Sequence, residues 1–410
     1  MNDLLPTRRF GRTELQMPLL SLGGMRFQQS WTDLPEQEIQ PSSQNNLTAT
    51  LERAVRCGFH HVETARHYGS SERQLGWALP TVPDPQRILQ SKVPPRENTA
   101  EFEEQLKLTF QRLGCDRLDL LAIHGINLPR HIDQTLRPGG CMDVVRRWQK
   151  AGRIGHVGFS THGPTDLITA AIKTGAFDYV NLHWYYINQS NSPALDAARG
   201  QDMGVFIISP TDKGGHLHSP SARLSDLCAP LHPIVFNDLF CLSDPRIHTI
   251  SVGAANPSDI DLHLEAVNLL PDADKLLPAV LARLRGAAAQ ALGDEWLATW
   301  TVGLPSWRDT PGEINLPVLL WLHNLLEAWD LESYAKARYR LLGQGSHWFP
   351  GANADAFERD VSEPQLLAAL TGSPWREQIP GILRHLQQRL SGEPLRPLAV
   401  AQSSSESSAP

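Results

Sequence analysis

The stretch HHVETARHYGSSERQLGWAL, residues 60–79, holds one complete strand-to-helix unit. Its first residues alternate between apolar and polar, as a buried strand does. A polar turn follows, then a helix that opens on Ser-Ser-Glu. Glu63 and Tyr68 stand at the junction. The same unit recurs along the chain. The short apolar runs MPLLSLGG, FHHVETA, RILQSKV, LDLLAIHG, IGHVGFS, YVNLHWYY, GVFIISP and HTISVGA alternate with amphipathic runs between residue 17 and about residue 270. Eight strand–helix units in strict alternation predict a parallel sheet, and eight such strands close into a (β/α)8 TIM barrel. Several amphipathic runs end on glycine, as in RCG, RLG, KAG and KTG. A left-handed helix cap favours glycine, and a cation there complements the helix dipole.

The rest of the chain reads differently. Residues 28–48 are a polar insertion after the first strand, long for a strand–helix loop, and so either a functional lid or a mobile segment. Residues 275–395 carry helical patterns such as LPVLLWLHNLLEAW and GILRHLQQRL without the strand rhythm. We therefore expect a barrel over residues 1–272, a helical domain over 273–395 and a Ser-rich disordered tail over 396–410. A net charge of −7 argues against a nucleic-acid binder. No apolar run approaches the ~20 residues of a membrane span. The N-terminal segment lacks the apolar core of a signal peptide. Cys57, Cys115, Cys141, Cys228 and Cys241 include no CxxC pair, which points to reduced thiols in a cytoplasmic protein.

In such a barrel the active site lies at the C-terminal strand ends. Glu63 and Tyr68 fall there on the second strand, Lys92 on the third and His124 on the fourth. A carboxylate, a phenol, an amine and an imidazole from consecutive strands suit proton transfer to a carbonyl oxygen. A lysine ammonium ~4 Å from the phenol would favour the phenolate by ~4 kcal/mol at an effective dielectric of about 20, or about three pKa units. The carboxylate would hold the lysine charged, and the histidine would orient the substrate oxygen. Each residue alone is more often a surface ion pair or a packing residue. Their joint placement is what carries the chemistry. Such a site needs a hydride donor. Two other readings compete. His61, Glu63, His124, His162 and His183 could supply ligands for a metal-dependent hydrolase, although Lys92 would repel a divalent ion. A non-catalytic scaffold on the same fold is the other.

These residues resemble the aldo-keto reductases over about residues 7–270. TRRFGRTELQMPLLSLGGMRF, VETARHYGSSERQLGWAL, SKV, AIHG, GRIGHVGFSTHG, ISPTDKGGHL and SVGAANPSDIDLHLEAV carry the likeness. The resemblance implies Tyr68 as proton donor, Lys92 as its pKa-lowering partner, Glu63 in the carboxylate role and His124 as orienter. It implies NADP(H), or NAD(H), bound without a Rossmann fold. Ser160 and Thr161 would face the nicotinamide amide, with Asn181 on its far side. Ser209, Lys213 and the loop from Gly253 to Asn256 would approach phosphates and adenosine. The substrate would be a small carbonyl compound, with Trp31, Trp184 and Tyr185 at the rim of its pocket, and no metal is implied. Glu63 stands where most of the family has Asp, and its extra methylene still reaches a lysine. The basic residues usual for a 2′-phosphate are not evident in SVGAANPSDIDLHL. In the subgroup with a C-terminal ferredoxin-like domain, that domain binds clusters through Cys-x2-Cys-x2-Cys-x3-Cys-Pro. Here Trp300, Gly303, Ser306 and Thr310 occupy those positions. Without thiolates no iron–sulfur cluster is held, which leaves a degenerate ferredoxin-like domain kept for structure or for contact with a protein partner.

Overall fold

The computed structural model describes residues 5–345 and 347–395. Its centre is a closed parallel barrel. The chain enters as an antiparallel hairpin, β1 (Thr7–Arg9) and β2 (Gln16–Pro18). The barrel strands are β3 (Leu20–Gly23), β4 (His61–Glu63), β5 (Ile88–Val93), β6 (Leu118–Ile123), β7 (Ile154–Ser160), β8 (Tyr179–Leu182), β9 (Gly204–Ile207) and β10 (Thr249–Val252). They run in order from β3 to β10, and β10 pairs back onto β3. All eight predicted strands are present. The hairpin was not foreseen, and it floors the barrel: Phe10 packs with Met17, Ile88, Leu120, Tyr179 and Phe206 in a core cluster.

Strand alternation sorts each side chain. On β5, Lys92 points into the barrel mouth, whereas Ser91 points outward to the helix layer. The outward residues pack under helices that include α1 (Pro41–Arg56), α2 (Ser71–Ala78) and α3 (Thr99–Leu113). Asn98 caps α3 at its N-terminus by accepting from Ala100 N at 3.0 Å. Gly114 ends α3 at φ +59 with open space around its would-be Cβ, so the backbone conformation alone calls for glycine there.

The chain forms two compact units. The barrel unit runs up to Gly214 and resumes over Ile234–Asp274. The helical unit comprises Gly215–Pro233 and the residues from Lys275 on. Residues 215–233, expected in the barrel domain, thus group with the helical unit. Polar bonds tie them there: Ser221 Oγ donates to Trp329 O at 3.0 Å, and Arg283 Nε donates to Leu227 O at 2.9 Å. Within this unit Leu316–Trp329 and Ile379–Leu390 bury leucine faces, and tryptophan joins the pieces. Trp296 Nε1 donates to Asn324 at 2.6 Å, and Trp375 Nε1 to Thr299 at 3.0 Å. At the positions of the absent thiolates, Gly303 lies so close to Gly372 that a Cβ would fall 1.9 Å from its carbonyl oxygen. Thr310 donates to Ser306 O at 3.0 Å. The expected tail, 396–410, lies outside the described residues. Among the described residues no helix is long and apolar enough to cross a membrane.

Candidate active site

β4, β5 and β6 bring four ionisable groups to the C-terminal mouth. Register explains the convergence: Glu63 pairs with Gln90, and Lys92 pairs with Ala122, two residues before His124. Lys92 is 1% exposed. Its ammonium donates to Glu63 Oε2, to Thr64 O at 2.9 Å and to Tyr68 Oη at 3.3 Å. Glu63 also accepts from Ser251 Oγ at 3.3 Å. Gly23 makes room for this pair, because a Cβ there would fall 2.5 Å from Ser251 Oγ and 3.2 Å from Glu63 Oε1. The Tyr68 and His124 rings meet edge-on, with centroids 5.8 Å apart. His124 Nδ1 is buried and has no hydrogen-bond partner among the described residues.

The electrostatics differ from the simple expectation of a strongly acidified phenol. Desolvation pushes the Tyr68 pKa above its ordinary value, and the Lys92 ammonium pulls it down by less. Glu63 adds to the effect of burial, because its carboxylate offsets part of the Lys92 charge that the phenol feels. Burial works against the Lys92 ammonium, yet Glu63 and Tyr68 hold its pKa above the ordinary value. Burial, with Lys92, His67 and Lys213 nearby, keeps the His124 pKa well below its usual range. At neutral pH the site therefore holds a protonated phenol, a charged lysine and a neutral imidazole.

Beneath this layer His61 is locked in one tautomer. Gln90 Oε1 accepts from its Nε2 at 3.1 Å, and its Nδ1 accepts from Ser21 Oγ at 2.6 Å. Burial lowers its pKa to about 3. The unfolded chain takes up a proton below about 6.5 while the fold does not, so His61 removes stability as pH falls from 6.5 toward 3. A His61→Gln variant should therefore lose about 2 kcal/mol less stability than the wild type between about pH 7 and about pH 5. Urea denaturation at the two pH values measures this.

The remaining expected residues divide. Asn181 presents both side-chain polar atoms buried and unpartnered, which suits a ligand amide. Ser160 and Thr161 are buried beside it, but their hydroxyls are engaged: Ser160 Oγ accepts from Gly125 N at 3.1 Å, and Thr161 Oγ1 donates to Ile126 O at 2.7 Å. Ser209 takes a left-handed conformation, φ +52, at the head of the short helix Pro210–Lys213. The Lys213 charge bears weakly on His124. In the Gly253–Asn256 loop, the Asp259 carboxylate accepts from Ala255 N at 2.8 Å and Asn256 N at 3.1 Å. A carboxylate already occupies those two amides. Gly253 lies against Arg26, whose Cδ would fall 3.3 Å from a Cβ there. Sequence reasoning missed Arg26 because nothing local links it to a loop on the last strand.

Trp184 and Tyr185, expected at the rim, are buried. After β8 the chain folds back, with Tyr185 bridging to Asn188, and turns both rings inward. Trp184 stacks on Phe240 at 4.9 Å, and Tyr185 donates to Ile208 O. With that donor spent, His183 Nδ1 donates to Tyr185 Oη at 2.6 Å, and His162 Nδ1 donates to His183 Nε2 at 2.5 Å. Trp31 alone of the three aromatics is exposed. Of the ligands considered for a metal hydrolase, His61, Glu63, His162 and His183 are held by other partners, and among the described residues no three His, Cys, Asp or Glu side chains are grouped to hold a metal.

This fold has counterparts in known proteins. An aldo-keto reductase from Bacillus halodurans, in its holo form, superposes with a TM-score of 0.56 at 17% identity, over 68% of this chain and 96% of its own. A thermostable aldo-keto reductase in complex with the inhibitor epalrestat gives 0.55 at 19% identity, over 67% of this chain and 100% of its own. These likenesses establish the fold. A family model described as the Aldo/keto reductase family matches residues 19–228, just over half of the chain. With that span matched on a closed eight-stranded barrel, the chain belongs to the aldo/keto reductase family.

Proposed function

We propose that this protein is an NAD(P)H-dependent carbonyl reductase with Tyr68 as its proton donor. The observation that carries the proposal is the Lys92 ammonium, which touches both Glu63 and Tyr68 Oη at the barrel mouth. The orphaned polar atoms of Asn181 fit the carboxamide of a nicotinamide, and Arg26 beside Gly253 fits an anionic part of the same cofactor. A bound reduced nicotinamide supplies the hydride. The residues do the rest. The phenol of Tyr68 gives its proton to the carbonyl oxygen, and the fixed charge of Lys92 stabilises the phenolate that remains. Glu63 keeps that charge in place without moving a proton itself. Neutral His124 can donate a hydrogen bond from Nε2 to the same substrate oxygen.

The test is oxidation of NADPH and of NADH by the full chain against a panel of aldehydes, ketones and quinones. Turnover with at least one carbonyl is expected, and none across the panel sinks the reading. The Asp259 cap on the Ala255 and Asn256 amides favours a second reading, a non-catalytic protein on a reductase fold. Quenching of tryptophan fluorescence by either cofactor separates the two, and the reductase reading expects saturable binding. In both readings the helical unit serves as a scaffold derived from a ferredoxin-like domain.

A further inference from the structure

The polar insertion is a built loop. Gln29 spans its base: the side-chain nitrogen donates to Glu38 O at 3.0 Å, and the side-chain oxygen accepts from Gln40 N at 2.6 Å. The Gln29 backbone N–H docks on Ser70 Oγ at 3.2 Å and Gln74 Oε1 at 3.3 Å. Ser30 crosses Gly69 so closely that a Cβ there would fall 1.9 Å from Ser30 O. Gly69 directly follows Tyr68 and sits at φ +51. Among residues 31–40 only Ile39 is buried, so an apolar core does not hold the loop down.

Charge holds it instead. The Asp33 carboxylate accepts from Arg66 Nη2 at 2.5 Å, pairs with Arg112 and lies 4.0 Å from Arg73. Arg66 is 7% exposed, and its other arm donates to Glu72 at 2.5 Å. Glu72 is fully buried and accepts from Ser91 Oγ at 2.7 Å. Ser91 precedes Lys92, and the Arg66 backbone N–H donates to Lys92 O at 2.9 Å. The loop is thus tied to the strand that carries the lysine. Three guanidiniums face two carboxylates, so a neutral residue at 33 leaves mutual repulsion around Glu72 alone.

We propose that Asp33 is a positioning residue: with Arg66, Arg73 and Arg112 it latches the 29–40 loop over the Tyr68 turn and so fixes Trp31 as a wall for an aromatic carbonyl substrate. The latch stands on geometry, while the substrate wall rests on the reductase reading. Hydrogen–deuterium exchange on the full chain, wild type against Asp33→Asn and Asp33→Glu, tests the latch. The Gln29, Glu38 and Gln40 amides should exchange about tenfold faster or more in Asp33→Asn, because loss of the Asp33 charge opens the loop locally. Asp33→Glu should stay near wild type. For para-nitrobenzaldehyde, KM should rise about tenfold in Asp33→Asn, with kcat and the NADPH dissociation constant unchanged. KM for acetaldehyde, too small to reach Trp31, should not move. Unchanged exchange in Asp33→Asn overturns the latch. Faster exchange with an unchanged aromatic KM overturns the positioning role. A wild type without turnover sinks the reductase reading and the substrate wall with it, while exchange alone still decides the latch.

Discussion

A Tyr68→Phe variant should bind the nicotinamide cofactor as the wild type does and lose about a thousandfold in carbonyl turnover, within the range that general acid catalysis supplies. The substitution removes one oxygen from a ring that keeps its place. His124 still meets the ring edge-on at 5.8 Å between centroids, and the Lys92 ammonium lies 4.7 Å from the ring centroid, where it still meets an aromatic face. Packing changes little, so the loss reads out proton transfer rather than collapse of the site. The ammonium keeps its bonds to Glu63 and Thr64 O, so no charge is orphaned. The whole effect should fall on kcat, because the phenol's contribution is realised in the transition state. Steady-state kinetics and a cofactor titration on one preparation measure both parts. A variant with wild-type kcat would remove Tyr68 from the chemistry whatever the geometry around it.

The barrel was legible because its signals are local. Period-two alternation marks each strand, and a glycine such as Gly114 marks a helix end through backbone conformation alone. The candidate groups at the mouth were legible for the same reason, since Glu63, Lys92 and His124 sit at or beside the ends of recognisable strands and Tyr68 in the turn after one. What was hidden depends on distant partners. The β1–β2 hairpin has three residues in each strand, too few to show a period. Trp184 and Tyr185 look like rim residues until the turn at Asn188 folds them inward. Asp259 reads as an ordinary helix-start acid, and only the fold shows that it holds the Ala255 and Asn256 amides. Segment 215–233 carries helical and turn residues that suit either unit, and bonds to Trp329 and Arg283 decide where it goes. A lowered Tyr68 pKa was expected from one pair of charges, and the opposite net direction follows first from burial, with Lys92 and Glu63 acting on the phenol in opposite senses.

The largest stability change should come from Lys92→Met. The pair it breaks is almost fully enclosed, with side-chain exposures of 2% for Lys92 and 4% for Glu63. Removing one partner of a buried ion pair costs about 3–5 kcal/mol, because the other charge is left without compensation. Removing both costs much less. The double variant Glu63→Gln with Lys92→Met should therefore recover most of the loss, although neither protein should turn over substrate. The pH dependence identifies the cause. In the single variant the stranded Glu63 carboxyl is favoured in its protonated form, so its folded pKa rises above the unfolded value near ~4.3. A raised carboxyl pKa destabilises the fold as pH climbs from the unfolded value through the folded one. The gap between single and double variants should thus be wide at neutral pH and close as pH falls toward about 4.3. Acid effects from His61 and His124 are shared by both proteins and cancel in the difference. In the wild type the lysine's own pKa lies above 10.5, so the stability it contributes is fully present below that pH and is lost only as pH rises past it. Denaturant melts of the three proteins across this range measure the gap directly. A gap that stays constant with pH would mean that Lys92 supports the barrel through packing and not through its charge on Glu63.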